Sequence, residues 1–158
     1  MTAASVHYQA TGRKDFLQVA CKAADYLYRL FAPRPKKLIH FGWNPSNIMG
    51  LCDLYRVTED RRYLELAKIF VDMRGSFRWR RNGYTEYGVY DPHPGDQNQN
   101  RVPLRRETEA VGHAVTATYL YCGAADICAE TGDKELFAAL ERIWKDVVNR
   151  EMYITRGV

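Results

Sequence analysis

The sequence predicts an all-α protein built from antiparallel helical hairpins, and three observations carry that prediction. Apolar residues recur at intervals of three and four over most of the chain, which is the period of a helix with one buried face. No stretch survives as a strand. One type of turn recurs between the periodic segments: Thr11-Gly12-Arg13-Lys14, Thr58-Glu59-Asp60-Arg61 and Thr131-Gly132-Asp133-Lys134. Thr11 and Thr58 lie 47 residues apart and Thr58 and Thr131 lie 73 apart, the excess being roughly one long irregular segment. Helical hairpins at such a period imply an open solenoid or a closed ring, and a ring needs more hairpins than 158 residues supply.

The elements follow in order. Met1 to Tyr8 reads as part of a helix, with no basic region ahead of an apolar core and hence no signal peptide. Phe16, Val19, Ala20, Ala23, Leu27, Leu30 and Phe31 mark a helix from about Lys14 to Phe31, which Pro33 and Pro35 end. Asn44-Pro45-Ser46 supplies turn and capping chemistry before a second helix, roughly Ser46 to Val57. After a turn with a capping acid, a third helix runs to about Arg74 with Tyr63, Leu66, Ala67 and Phe70 inward. A fourth is expected from about Glu107 to Glu130. A fifth is expected from about Lys134 to Arg150, with Leu136, Ala139, Leu140, Ile143, Trp144 and Val147 inward.

Between the third and fourth helices, residues 75–106 break the periodicity. Connections longer than about 12–15 residues inside a compact domain are usually functional. This one carries Phe77, Trp79, Tyr84, Tyr87 and Tyr90, then the turn-rich Asp91-Pro-His-Pro-Gly-Asp96, then the amide run Gln97 to Asn100. Asp91, His93 and Asp96 are more simply turn formers than cation ligands. The segment also places Arg74, Arg78, Arg80, Arg81, Arg101, Arg105 and Arg106 among the aromatic residues. Arginines beside stacking rings are what single-stranded nucleic acid requires, but the net charge of only +4 and the lack of a recognition motif argue for no nucleic-acid partner.

No apolar run approaches the roughly 20 residues of a membrane span, so no membrane partner is expected. Cys21, Cys52, Cys122 and Cys128 show neither Cys-x-x-Cys nor zinc-type Cys/His spacing and read as isolated buried thiols, so no metal site is expected among them.

The stretch Glu107-Thr-Glu-Ala-Val-Gly-His-Ala-Val115 is where a carboxylate, a histidine and small residues coincide at helical spacing. On a helix, Glu109 and His113 would share one face and the carboxylate would hold the imidazole in one tautomer. Spacing alone favours a capping acid beside a satisfied histidine, since such pairs are common and worth only about 0.2–0.5 kcal/mol.

Several segments together resemble the bacterial β-L-arabinofuranosidases of glycoside hydrolase family 127. They include Asp53-Leu-Tyr-Arg-Val-Thr-Glu-Asp-Arg-Arg-Tyr-Leu-Glu-Leu-Ala-Lys68, Met73-Arg-Gly75, Val102-Pro-Leu-Arg105, Glu109-Ala-Val-Gly-His-Ala-Val115, Tyr119-Leu-Tyr121 and Asp146-Val-Val-Asn-Arg-Glu-Met-Tyr-Ile-Thr155. The resemblance implies the N-terminal part of an (α/α)6 toroid of the six-hairpin glycosidase type, incomplete in this chain.

It also implies removal of terminal β-L-arabinofuranose with retention, by a zinc-bound cysteine nucleophile and a glutamate acid/base. In the family those groups follow a Met-Tyr-Ile-Thr-Gly-Gly segment, which here reads Met152-Tyr-Ile-Thr-Arg-Gly-Val158. The chain is therefore expected to hold no catalytic residue, no zinc ligand and no cofactor, and to be inactive alone. His113 matches the family's substrate-orienting histidine, which reverses the preference drawn from spacing. Glu109 beside it and Trp79 on the aromatic loop complete the candidate substrate-binding set. A second family motif, Gly-His-Pro-Glu, is replaced here by Trp43-Asn44-Pro45-Ser46.

The partners so implied are carbohydrates bearing L-arabinofuranosyl groups, with self-association through helix faces that a partial ring leaves uncovered. The alternative is a non-catalytic helical repeat module that binds a glycan or protein.

Overall fold

A computed structural model describes residues 1–38, 44–80, 83–90 and 95–153. Trp43, Arg81, Asp91, His93 and the segment from Ile154 onward, all singled out above, lie outside the described residues. Six α-helices make up the array: α1 Thr2–Thr11, α2 Asp15–Phe31, α3 Ser46–Thr58, α4 Arg61–Met73, α5 Ala114–Thr131 and α6 Lys134–Asp146. Single turns of 3-10 helix stand at Lys36–Leu38, Gly95–Asn98 and Leu104–Arg106, and a π-helical turn, Val147–Glu151, extends α6. No named strand occurs among the described residues, so the all-α expectation holds.

The three similar turns are built alike. Gly12, Glu59 and Gly132 take left-handed conformations at φ 70°, 59° and 67°, and each donates its N–H to the carbonyl four residues back, on Tyr8, Tyr55 and Cys128. In each turn the preceding threonine hydroxyl donates 2.7 Å to a helix carbonyl, that of His7, Leu54 or Ile127. The same oxygen accepts the N–H two residues on, from Arg13, Asp60 or Asp133. Asp60 and Asp133 then cap α4 and α6 by accepting from Arg62 N and Leu136 N. This is local chemistry, which is why it was visible as a repeat.

Such short turns make α1–α2, α3–α4 and α5–α6 antiparallel hairpins. α1, α3 and α5 pack in succession as one layer, while α2 and α4 pack side by side as the second, with α6 on α5. The core is a run of fully buried aliphatic side chains, Ile48, Leu51, Leu54, Leu66, Ile69, Leu120, Ile127, Leu136 and Ile143, each worth about 1.5–3 kcal/mol of burial. Tyr63, Leu66, Ala67 and Phe70 are buried, as the helical period required. Small residues bring α3 and α5 close: a Cβ on Gly123 would lie 2.7 Å from Ile48 Cγ2. Arg56 ties the same pair of helices by donating to Asp126 at 2.8 Å and Glu130 at 2.6 Å.

Two expected core assignments are corrected. On α2 the buried residues are Leu17, Ala20, Ala24 and Phe31, whereas Phe16, Val19 and Leu30 are exposed. On α6, Leu136, Ala139 and Ile143 are buried but Trp144 is 62 % exposed. Both helices carry two apolar stripes, and period alone does not say which one a neighbour covers. The bare stripes are Phe16, Val19, Tyr26 and Leu30 on α2, and Phe137, Trp144 and Val148 on and just past α6.

The thiols also differ from expectation. Cys52 and Cys128 are buried, Cys21 is half-buried and Cys122 is exposed, all unpaired.

The connections 32–45 and 74–113 link successive hairpins, and the second runs along α6, where Arg142 donates to Arg105 O at 2.8 Å and Asp146 accepts from Ala110 N at 2.9 Å. Lys36 lies 5.2 Å from the ring centre of Tyr87, so the two connections meet there. The second is clasped to the array by Arg105, which donates to Asp72 on α4 at 3.2 Å and to both carboxylate oxygens of Asp133 at 2.9 and 2.8 Å.

Two consequences are measurable. Glu59 is a side-chain-bearing residue where the sister turns use glycine, so Glu59→Gly should raise the unfolding free energy by about 0.5–1 kcal/mol in urea titration. Arg105 holds the Asp133 carboxyl down to about 2, from its ordinary 3.8. Its contribution, about 1–2 kcal/mol, is therefore full above pH ~4 and is lost as pH falls toward 2. Asp133→Asn keeps a capping oxygen but should flatten that part of the stability–pH curve.

Candidate functional site

The candidate residues gather around the second long connection, and a short buried segment organises them. After α4, Gly75 turns at φ 69°, so close to the returning chain that a Cβ there would lie 2.1 Å from Val102 O. Arg74, which is buried, donates to the carbonyl of Asn98. Asn98, Gln99 and Asn100 are themselves buried, although nothing in their polarity requires it. The amides of Gln99 and Asn100 find partners in the chain around them, as burial demands. Asn100 Oδ1 accepts from Gly95 N at 2.8 Å. Gln99 Nε2 donates 3.1 Å to both Gln97 O and Val111 O.

Each expected site residue is fastened to one member of this segment. Trp79 Nε1 donates to Asn100 O at 3.4 Å, with its indole half-buried. Gln99 holds the backbone at His113: its Nε2 reaches His113 O at 3.5 Å, and the hydroxyl of Thr116 lies 3.2 Å from Gln99 Oε1. His113 N also donates to Gln97 O at 3.3 Å. Arg101 donates to Glu109 at 3.3 Å and grips Glu107 through two bonds of 2.9 and 2.7 Å. Trp79, Glu109 and His113 are thus positioned through Asn100, Arg101 and Gln99, three consecutive residues.

The expected helix from Glu107 is corrected: α5 begins at Ala114, and His113 is its N-cap residue. Residues 107–113 run irregularly because Gly112 turns at φ 81°, where a Cβ would lie 1.9 Å from Asp96 O. A helical course would also forfeit the Gln99 bonds to Val111 and His113. Glu109 and His113 therefore share no helix face, and the carboxylate engages Arg101 rather than the imidazole. His113 is exposed, and its imidazole makes no hydrogen bond among the described residues. It stands at the N-terminus of an 18-residue helix, whose partial positive charge favours electron-rich ligand oxygens.

The two acids differ in kind. Burial would raise the Glu107 carboxyl, but Arg101 and the N–H groups of Thr108 and Glu109 hold it below its ordinary range. It is a structural anion. Glu109, half exposed, remains able to accept hydrogen bonds from solvent or ligand.

Beneath Val111 the Tyr121 hydroxyl is buried, and burial pushes the phenol up to about 12 against the lowering effect of the Val111 N–H. Gln99, Arg101 and Tyr121 were not identified as site residues from the sequence. The only signal for Gln99 was the unusual amide run.

Of the arginines in the connection, Arg74, Arg101 and Arg105 are engaged within the protein, while Arg78, Arg80 and Arg106 are exposed. Among the described residues no three His, Cys, Asp or Glu side chains converge as metal ligands would. Cys52 and Cys128 do not fit a zinc-bound nucleophile. Burial pushes Cys52 up to about 12 and raises Cys128, the reverse of what a zinc thiolate needs.

A family profile described as the β-L-arabinofuranosidase GH127 catalytic domain matches residues 1–158. A non-reducing-end β-L-arabinofuranosidase of Bifidobacterium longum subsp. longum is 33 % identical over 99 % of this chain and 25 % of its own length. Among solved structures, a GH127 β-L-arabinofuranosidase from Geobacillus stearothermophilus T6 superposes with TM-score 0.83 at 35 % identity, over 99 % of this chain and 25 % of that one. A GH127 β-arabinofuranosidase superposes with TM-score 0.75 at 38 % identity, over 98 % of this chain and 22 % of that one. The chain spans about a quarter of the length of these relatives. It belongs to glycoside hydrolase family 127, as part of that family's helical catalytic domain.

Proposed function

We propose that this chain supplies part of the sugar-recognition face of a β-L-arabinofuranosidase, binding a terminal L-arabinofuranosyl group without itself carrying the reacting groups. The observation that supports it best is His113: an exposed imidazole with no protein hydrogen bond among the described residues, set on a backbone that buried Gln99 fixes from three directions. A furanose presents hydroxyls that both donate and accept, and the two ring nitrogens of an imidazole can hydrogen-bond to them. Glu109 adds an acceptor beside it and Trp79 a ring face. We place the proton donor and nucleophile for cleavage outside this set, a reading supported by the grip of Arg101 on Glu107 and by the burial that raises the Cys52 and Cys128 thiols.

Calorimetric titration with methyl β-L-arabinofuranoside tests this reading. His113→Ala should weaken binding at least fivefold with helical content unchanged. Equal affinity in the variant would refute the role of His113. Neither protein should release the aglycone from an aryl β-L-arabinofuranoside, with or without added zinc.

The same reading extends to association. The bare stripes on α2 and α6 are contiguous apolar surfaces of the sort that drive protein contacts. We propose that copies of the chain associate through them, so sedimentation should show mass rising with concentration, and Trp144→Lys should reduce it. A strictly monomeric species at all concentrations would refute the association.

A further inference from the structure

The connection after α4 contains a small three-segment meander of which the site above uses only Trp79. Trp79 pairs with Thr85 and Tyr84 with Tyr90 as antiparallel bridges. Arg80 N donates to Tyr84 O at 2.6 Å, Glu86 N to Arg78 O at 2.8 Å and Thr85 N to Val89 O at 2.8 Å. Neighbouring residues on extended segments point to opposite sides, so the pairing sorts the side chains. The inner side is Thr85, fully buried, with half-buried Trp79 fixed to Asn100. The outer side carries Arg80, Tyr84 and Tyr90 in one row and Arg78 and Glu86 in the next.

The two tyrosines face each other at 5.2 Å between ring centres and 52° between planes, and remain 45 % and 54 % exposed. Tyr87, also exposed, meets Lys36 of the neighbouring connection.

We propose that this outer face is a platform for the glycan chain that follows the terminal sugar, with Tyr84 and Tyr90 taking the faces of the second and third units. This rests on the preceding reading of His113. Three observations favour a glycan over other occupants. The platform is joined through Trp79 and Asn100 to the buried segment that positions His113. Its aromatic surface is phenolic rather than aliphatic, offering ring faces to sugar C–H groups and hydroxyl edges to sugar oxygens. Its charges, Arg78 and Arg80 against Glu86, partly cancel, which suits a neutral polyol better than a polyanion. Backbone pairing fixes the rings in advance, so little side-chain freedom remains to be lost on binding.

Calorimetry with methyl β-L-arabinofuranoside and with a linear trisaccharide of β-L-arabinofuranosyl units separates the two sites. The wild-type chain should bind the trisaccharide about tenfold more tightly than the methyl glycoside. The double variant Tyr84→Ala/Tyr90→Ala should erase that advantage and leave the methyl glycoside unaffected. Tyr84→Phe/Tyr90→Phe should keep most of it, which guards against misreading a folding defect. His113→Ala should weaken both ligands by the same factor; if it weakens neither while the alanine pair still loses the advantage, the platform stands and the His113 reading falls. The platform is overturned if the trisaccharide binds no more tightly than the methyl glycoside, if the alanine pair keeps the advantage, if the phenylalanine pair loses it, or if oligothymidylate displaces the trisaccharide.

Discussion

The buried amide of Gln99 is the constraint on which the site depends. A primary amide with two donors and an acceptor, placed out of water, has to find partners or destabilise the fold by about 1–3 kcal/mol for each group left unmade. Its partners here are the carbonyls of Gln97, Val111 and His113 and the hydroxyl of Thr116. Those groups come from the start of the segment, from the chain entering α5 and from the first turn of α5. One side chain therefore decides where a connection of forty residues (74–113) meets the helix array, and with that where the backbone of His113 stands. Arg74, Arg101 and Arg105 repeat the arrangement with charge, each reaching from or into the connection to a carbonyl or carboxylate.

The division of labour follows from topology. Hairpin turns of two or three residues leave no room for a site, and their threonines and aspartates are spent on closing helices. The spare chain falls in the connections between hairpins, which supply rings, amides and acids, while α5 brings the partial positive charge of its N-terminus to His113. Membership of glycoside hydrolase family 127 gives these residues a chemical context, and the imidazole of His113, which makes no hydrogen bond among the described residues, and the outward phenols of Tyr84 and Tyr90 are the groups through which we propose that a sugar is met.

What could be read from the sequence was what is decided locally. Helix extents from Asp15 to Arg74 and from Lys134 to Asp146 follow from period, proline and capping acids, and the three threonine turns were visible because each is closed by its own residues. Glu107 to His113 misled because its composition suits a helix, whereas its path is set by Gly112 against Asp96 and by Gln99 from more than ten residues away. Trp144, Phe16 and Val19 misled for another reason: a helix with apolar residues on two sides has two valid inward faces, and only its neighbours choose between them. The meander at 78–90 was hidden because paired segments of two or three residues leave too little alternation to recognise.

The most direct measurement is the affinity of a Gln99→Leu variant for methyl β-L-arabinofuranoside, alongside its circular dichroism. Gln99 is buried and presents no atom to a ligand, so it acts only by holding the chain around His113. The account predicts that binding falls at least fivefold while helical content stays within error of the wild type. Undiminished affinity in a folded Gln99→Leu protein would contradict it.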